Sequence, residues 1–166
     1  MDRGTGDMTT ERDGSHDFDF EFGRWRVSHR RLIERLAGCD SWQTFGGTAE
    51  ARPVLGGMGN VEDNVLDLPT GSTRALALRS YDPVSRAWAI WWLASANPHQ
   101  IDVPVIGRFD RGVGAFYADD VLRGVPIKVR FLWLRTETPQ PRWEQAMSAD
   151  GGQSWETNWT MEFDRV

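Results

Sequence analysis

The chain has 166 residues, nine of them tryptophan, and a net charge of −5 at neutral pH. That length fits one domain with a sizeable core, and an acidic chain without a basic stripe argues against a nucleic-acid or membrane partner. Cys39 is the only cysteine, so no intrachain disulfide forms, and no apolar run has the length of a membrane-spanning helix.

Met1 to Asp17 is polar and lacks the apolar core of a signal peptide. It reads as a flexible tail ahead of one domain over 18–166, and with the lone cysteine it suggests a cytoplasmic protein. The first strand begins at Phe18, where Phe18, Phe20 and Phe22 alternate with Asp19 and Glu21. After Gly23 the phase shifts, and Trp25, Val27 and His29 fall on one face. Arg30 to Gly38 fits either a short helix capped by Gly38 or a strand extension with a turn. Further strands follow over Trp42–Arg52, Met58–Leu68, Arg74–Tyr81, Ala87–Ala94, Ile101–Phe109, Val113–Ala118 and Pro126–Arg135, separated by Gly, Pro and Asp turn signals. The chain ends in a hairpin whose turn, Ser148 to Trp155, carries Asp150-Gly151-Gly152. Glycine reaches positive φ without steric cost there, and Asp150 accepts from turn amides. The octet also resembles the Asp-box of sialidases, where it is a structural hairpin with Asp150 and Trp155 in structural roles. Along the last strand, Trp155, Thr157, Trp159, Met161, Phe163 and Arg165 share one face.

About ten strands with tight links and little helix predict an all-β antiparallel up-and-down barrel. A barrel of that strand number has room for a small ligand. Gly23-Arg24-Trp25, with Arg165 on the last strand, resembles the lipocalin or calycin signature. In that superfamily the tryptophan plugs one end of the barrel beneath a basic side chain. More closely, FDFEFGRWRVSHRRL, VLGGMGNVEDN, LRSYDPVSRAWAIWW, VIGRF and RWEQAMSADGGQSWETNW resemble a bacterial calycin-like family of unknown function. The resemblance implies a closed barrel with a pocket, similar to nitrobindins and fatty-acid-binding proteins, and assigns no catalytic residue. The nitrobindin motif continues with further glycines, where this chain has Val27 and His29.

His29 shares a face with Trp25, which points it into the barrel as a candidate general base. The loop residue His99 is a candidate axial haem ligand. Asn60, Glu62 and Asn64 alternate along one strand face, which is either a polar cavity wall or a solvated surface. Arg79 and Arg130 are read three ways: exposed, paired with an acid such as Glu144, or clamping a ligand carboxylate. Tyr117 offers a hydroxyl donor. Trp92 and Trp159 lie on apolar faces that would wall a cavity, and Gln145 shares its face with Trp143 and Met147. Trp91 points away from Trp88 and Trp92, which suggests a homodimer interface. No metal-ligand spacing or nucleotide motif is present, so no metal and no cofactor is expected. Three functions fit these residues. The first is a carrier of a small apolar or aromatic molecule. The second is a cofactor-free acid–base enzyme, an isomerase, cyclase or hydrolase, with His29 as base and Arg79 or Tyr117 as stabiliser. The third is a haem-binding protein like the nitrobindins.

Overall fold

The computed structural model describes residues 13–166. Its strands are β1 (Gly23–Leu32), β2 (Trp42–Val54), β3 (Gly59–Leu68), β4 (Gly71–Asp82), β5 (Ala87–Ala94), β6 (Val105–Asp110), β7 (Val113–Leu122), β8 (Val125–Leu134), β9 (Arg142–Ser148) and β10 (Glu156–Arg165). Each pairs antiparallel with its neighbours in sequence, and β10 closes onto β1, so the barrel has no free edge. Tight turns keep the meander simple. Arg111-Gly112 and Arg123-Gly124 both hold positive φ at their two central positions, the geometry that matches hairpin twist. The seam between β5 and β6 is the weakest, with only three opposed pairs, Trp88–Gly107 to Ile90–Val105. Above it, residues 95–104 leave the wall as a loop.

The first strand starts later than the sequence suggests. Phe18 to Phe22 is not a strand, because Asp19–Glu21 forms a 3-10 turn, and a second such turn covers Gly14–His16. The aromatic residues of this segment are wanted inside the barrel rather than along its wall. Phe18 is wholly buried against Trp88, Phe109, Phe116 and Trp133 at centroid distances of 4.9–6.2 Å. The last residues of the expected tail take part as well, since Trp88 donates its indole N–H to the Gly14 carbonyl at 3.0 Å. Residues 1–12, the rest of that expected tail, lie outside the described residues. One barrel end is thus closed by its own N-terminal segment.

The closure is fastened at the Gly-x-Trp stretch. Gly23 sits at φ 113°, and a Cβ there would lie 2.7 Å from the Arg165 guanidinium. That guanidinium covers the Trp25 ring at 3.9 Å and donates to the Phe22 and Phe20 carbonyls at 2.7 and 2.9 Å. The Trp25 indole in turn donates to the Glu21 carbonyl at 2.7 Å. These bonds satisfy the carbonyls of a segment that has no strand partner.

Two further expectations change. The stretch from Ile101 to Pro104 is loop rather than strand, joined to β5 by the Leu93–Ile101 bridge and by the Asp102 N–H donating to the Trp92 carbonyl at 2.9 Å. A register shift between Thr157 and Trp159 interrupts β10 and puts Trp155 on the outer wall, not on the Trp159 face. Trp155 packs there near Tyr117 and Arg130. The bulge also buries Asn158 completely beside Trp159.

Replacing Arg165 by Ala removes the stacked cation and both backbone bonds. It should destabilise the barrel by roughly 1–2 kcal/mol, and Lys should restore only part of that, because an ammonium lacks the planar fork. Urea unfolding monitored by tryptophan emission measures it, and an unchanged midpoint would contradict the fastening role.

Candidate functional site

Above the plugged end lies a layer of buried charge. Arg79 on β4 faces Asn60 and Glu62 on β3 and Glu21 from the N-terminal segment, and all four side chains are buried. Arg79 Nη2 donates to Glu62 Oε2 at 2.6 Å, and Nη1 donates to Asn60 Oδ1 at 2.9 Å. Nη1 also lies 2.7 Å from Glu21 Oε2. Phe18 and Trp133 flank the guanidinium at 4.7 and 5.6 Å.

Two carboxylates against one arginine leave a net negative charge in an apolar interior, which burial opposes. Burial accordingly raises the Glu21 pKa well above its ordinary 4.5, and the neighbouring Glu62 pushes the same way. Burial also opposes the Glu62 charge, but the attraction of Arg79 and a hydrogen bond from Glu21 outweigh it and lower its pKa. The two carboxyl groups are thus pushed apart, Glu21 toward its protonated form and Glu62 toward its charged form. Arg79 is fully engaged in this cluster. It does not pair with Glu144, which is bonded to Arg142 at 2.8 Å.

The other barrel end is open. A cavity of about 390 Å³ lies between the ends of β3, β4, β5, β8, β9 and β10 and the loops above them. That volume falls within the ~300–1,000 Å³ typical of small-ligand sites. Its wall is aromatic: Trp92 and Trp143 each meet Trp159 edge to face, at 87° and 89°, and Phe131 meets Trp143 at 74°. Arg31, Arg35, Arg74, Asp102 and Gln145 supply its polar groups. A side recess of about 130 Å³ continues past Trp92, Phe131 and Gln145 toward Val105 and Ile127. Only a gap of about 20 Å³, lined by Trp92, Phe131 and Trp143 above and Glu62 and Arg79 below, separates the cavity from the charged layer. No protein-family model matches this chain, and no curated protein matches it.

The expected site residues divide into three groups. Trp92, Gln145 and Trp159 line the open cavity. Gln145 is oriented by a 2.7 Å bond from its amide to Asn158 Oδ1. Asn60, Glu62 and Arg79 face the interior but form the charged floor. Tyr117 and Arg130 lie on the outer wall, because the β7–β8 register pairs them on the face opposite Phe116 and Phe131. Neither is part of the cavity. Asp150 binds Ser148 and Ser154 within its own turn, so it is held as the hairpin reading requires.

His29 is buried yet does not line the cavity. Its ring stacks on Phe45 at 4.6 Å inside the barrel wall. Gly47 leaves it room, since a Cβ there would sit 3.1 Å from Nε2 and closer still to the Val65 carbonyl. Nδ1 accepts the Trp159 indole N–H at 3.2 Å, which assigns the ring proton to Nε2. Burial, and then the nearby Arg31, lower its pKa from 6.5 to about 4. His29 is thus a neutral group that orients the Trp159 wall. His99 lies in an exposed loop and does not line the cavity either.

The sequence reading passed over Arg31 and Arg35. Arg31 continues the inward series Trp25, Val27 and His29, and that alternation was the available signal. Arg35 sits in the β1–β2 loop and had no such signal. The loop folds over the mouth, where Glu156 accepts the Leu36 backbone N–H at 2.8 Å and Arg123 donates to the Arg35 carbonyl. These two bonds aim Arg35 into the cavity.

Because the fold raises the Glu21 pKa, its share of stability is present below pH 4.5 and is lost as pH rises through that raised pKa. Urea unfolding from about pH 5 to about pH 9 should show that decline, and Glu21→Gln should abolish it at a cost below ~1 kcal/mol near pH 5. Arg79→Met leaves Glu62 uncompensated and should cost roughly 3–5 kcal/mol. A Glu21→Gln profile parallel to the wild type would contradict the raised Glu21 pKa.

The sign is opposite for His29. Its lowered pKa contributes stability above pH 6.5 that is lost as pH falls toward about 4. The stake is on the order of 2–3 kcal/mol, and His29→Gln should remove that part of the acid sensitivity. An unchanged acid profile would contradict the neutral, indole-accepting ring.

Proposed function

We propose that this protein binds a small, largely apolar or aromatic molecule in the open end of a calycin-like barrel. The observation that carries the reading is the cavity of about 390 Å³ walled by Trp92, Trp143, Trp159 and Phe131. Elsewhere in the barrel the same residue types fill space: Phe18, Trp88, Phe116 and Trp133 pack face and edge at the closed end. At the mouth they stand around open volume. Aromatic walls set at right angles present both faces and edges, which suits a flat ring more than a flexible chain.

A carrier accounts for the site better than an acid–base enzyme. A general base must reach the reacting group directly or through one water. His29 stands behind Trp159, and the two carboxyl groups of the floor lie behind the aromatic layer. The haem reading is less well supported, since neither His29 nor His99, the histidines in reach of the barrel among the described residues, lines the cavity.

Ala94 lines the cavity near the mouth and is only partly buried, so Ala94→Trp fills the space with little disturbance of the core. A neutral aromatic probe, 2-naphthamide, should quench wild-type tryptophan emission saturably and should lose at least roughly tenfold in affinity in Ala94→Trp. Equal binding by both proteins would place the probe elsewhere and contradict the cavity reading.

A further inference from the structure

We propose that the molecule taken at the mouth is an aromatic or apolar carboxylate whose acidic group is received by Arg31 and Arg35. This deepens the binding reading above and rests on it.

The cavity is lined by three arginines against one aspartate, Asp102, in a protein whose net charge is −5. The local sign is therefore opposite to that of the whole molecule, and a concave low-dielectric wall concentrates such a field. The three arginines are not equivalent. Arg74 is exposed and has a carboxylate at 3.7 Å, Asp63. Arg31 and Arg35 are half-buried, and among the described residues neither has a carboxylate oxygen within 4 Å. Two neighbouring cations, partly removed from water and mutually repelling, are stabilised by an anion placed between them.

The Arg31 guanidinium and the Arg35 backbone are also held. Arg31 lies over the Phe45 and Trp159 rings at 5.3 and 5.1 Å, which fixes its plane beside the aromatic wall. Arg35 is aimed inward by the Glu156 and Arg123 bonds to its loop. An arginine held in place loses little side-chain freedom on binding and offers paired donors that match a carboxylate. Asp102, on the same wall, disfavours a second negative charge, so a monoanion fits better than a phosphate ester. The opposite wall, Trp92, Trp143 and Phe131, receives the apolar body.

The test compares three probes of one shape, 2-naphthoate, 2-naphthamide and 2-naphthyl phosphate, by calorimetric titration of the full chain. Naphthoate should bind at least roughly tenfold tighter than naphthamide and tighter than the phosphate, with an affinity that falls as salt rises. Arg35→Gln and Arg31→Gln should each erase most of the naphthoate advantage, read as the ratio of naphthoate to naphthamide affinity in the same variant. Equal binding of naphthoate and naphthamide would overturn the carboxylate inference and leave the cavity reading standing. Tighter binding of the phosphate would also overturn it. Binding of none would overturn both readings. The wild-type comparison needs no variant, so a poorly folding substitution does not protect the proposal.

Discussion

A positive charge in the interior of a barrel must be neutralised there, and Arg79 sets that requirement for this fold. Its guanidinium is buried, and the three groups around it come from two places: Asn60 and Glu62 from the adjacent strand, Glu21 from the N-terminal segment. The adjacent strand alone supplies one carboxylate. Drawing Glu21 inward brings Phe18 and Phe20 with it, and their rings fill the space beneath the arginine. The raised Glu21 pKa follows, because an apolar interior tolerates a neutral cluster far better than a charged one. One end of the barrel is thereby shut by electrostatics and packing together.

Closing one end leaves the chemistry of the protein to the other. The mouth differs in construction at every level. Its loops are longer, β5 and β6 part company, and the β1–β2 loop crosses toward the β7–β8 turn. Its aromatic residues surround volume rather than fill it. His29 contributes from behind the wall, where a neutral imidazole accepts the Trp159 indole bond that a charged one would reject. The polar residues of the interior thus fall into a paired structural layer below and a positive lining above.

Much of the wall was legible in the sequence. Alternation and turn chemistry give ten strands and their order, because one-sided burial imposes period two on each. Gly23, Trp25 and Arg165 carry the fastening in plain view, since only glycine leaves room for the guanidinium. Where the reading failed, tertiary context had overridden a local pattern. Phe18, Phe20 and Phe22 alternate like a strand, yet the buried arginine pulls the segment inside as a 3-10 turn. The β10 bulge reverses the phase between Trp155 and Trp159, and no residue type announces it. Tyr117 was a candidate by residue type and Arg130 as the charge in an apolar strand, and their register sends both outward. Arg35 was invisible because a loop position has no period from which to read direction.

The division into a filled end and a receiving end can be measured directly. Selective labelling of the nine indole N–H groups gives one signal for each tryptophan. On titration with 2-naphthamide, the signals of Trp92, Trp143 and Trp159 should shift together and saturate, while those of Trp25, Trp88 and Trp133 stay in place. Shifts centred on Trp25, Trp88 and Trp133, or no saturable shift at all, would contradict a barrel that is packed at one end and open to a ligand at the other.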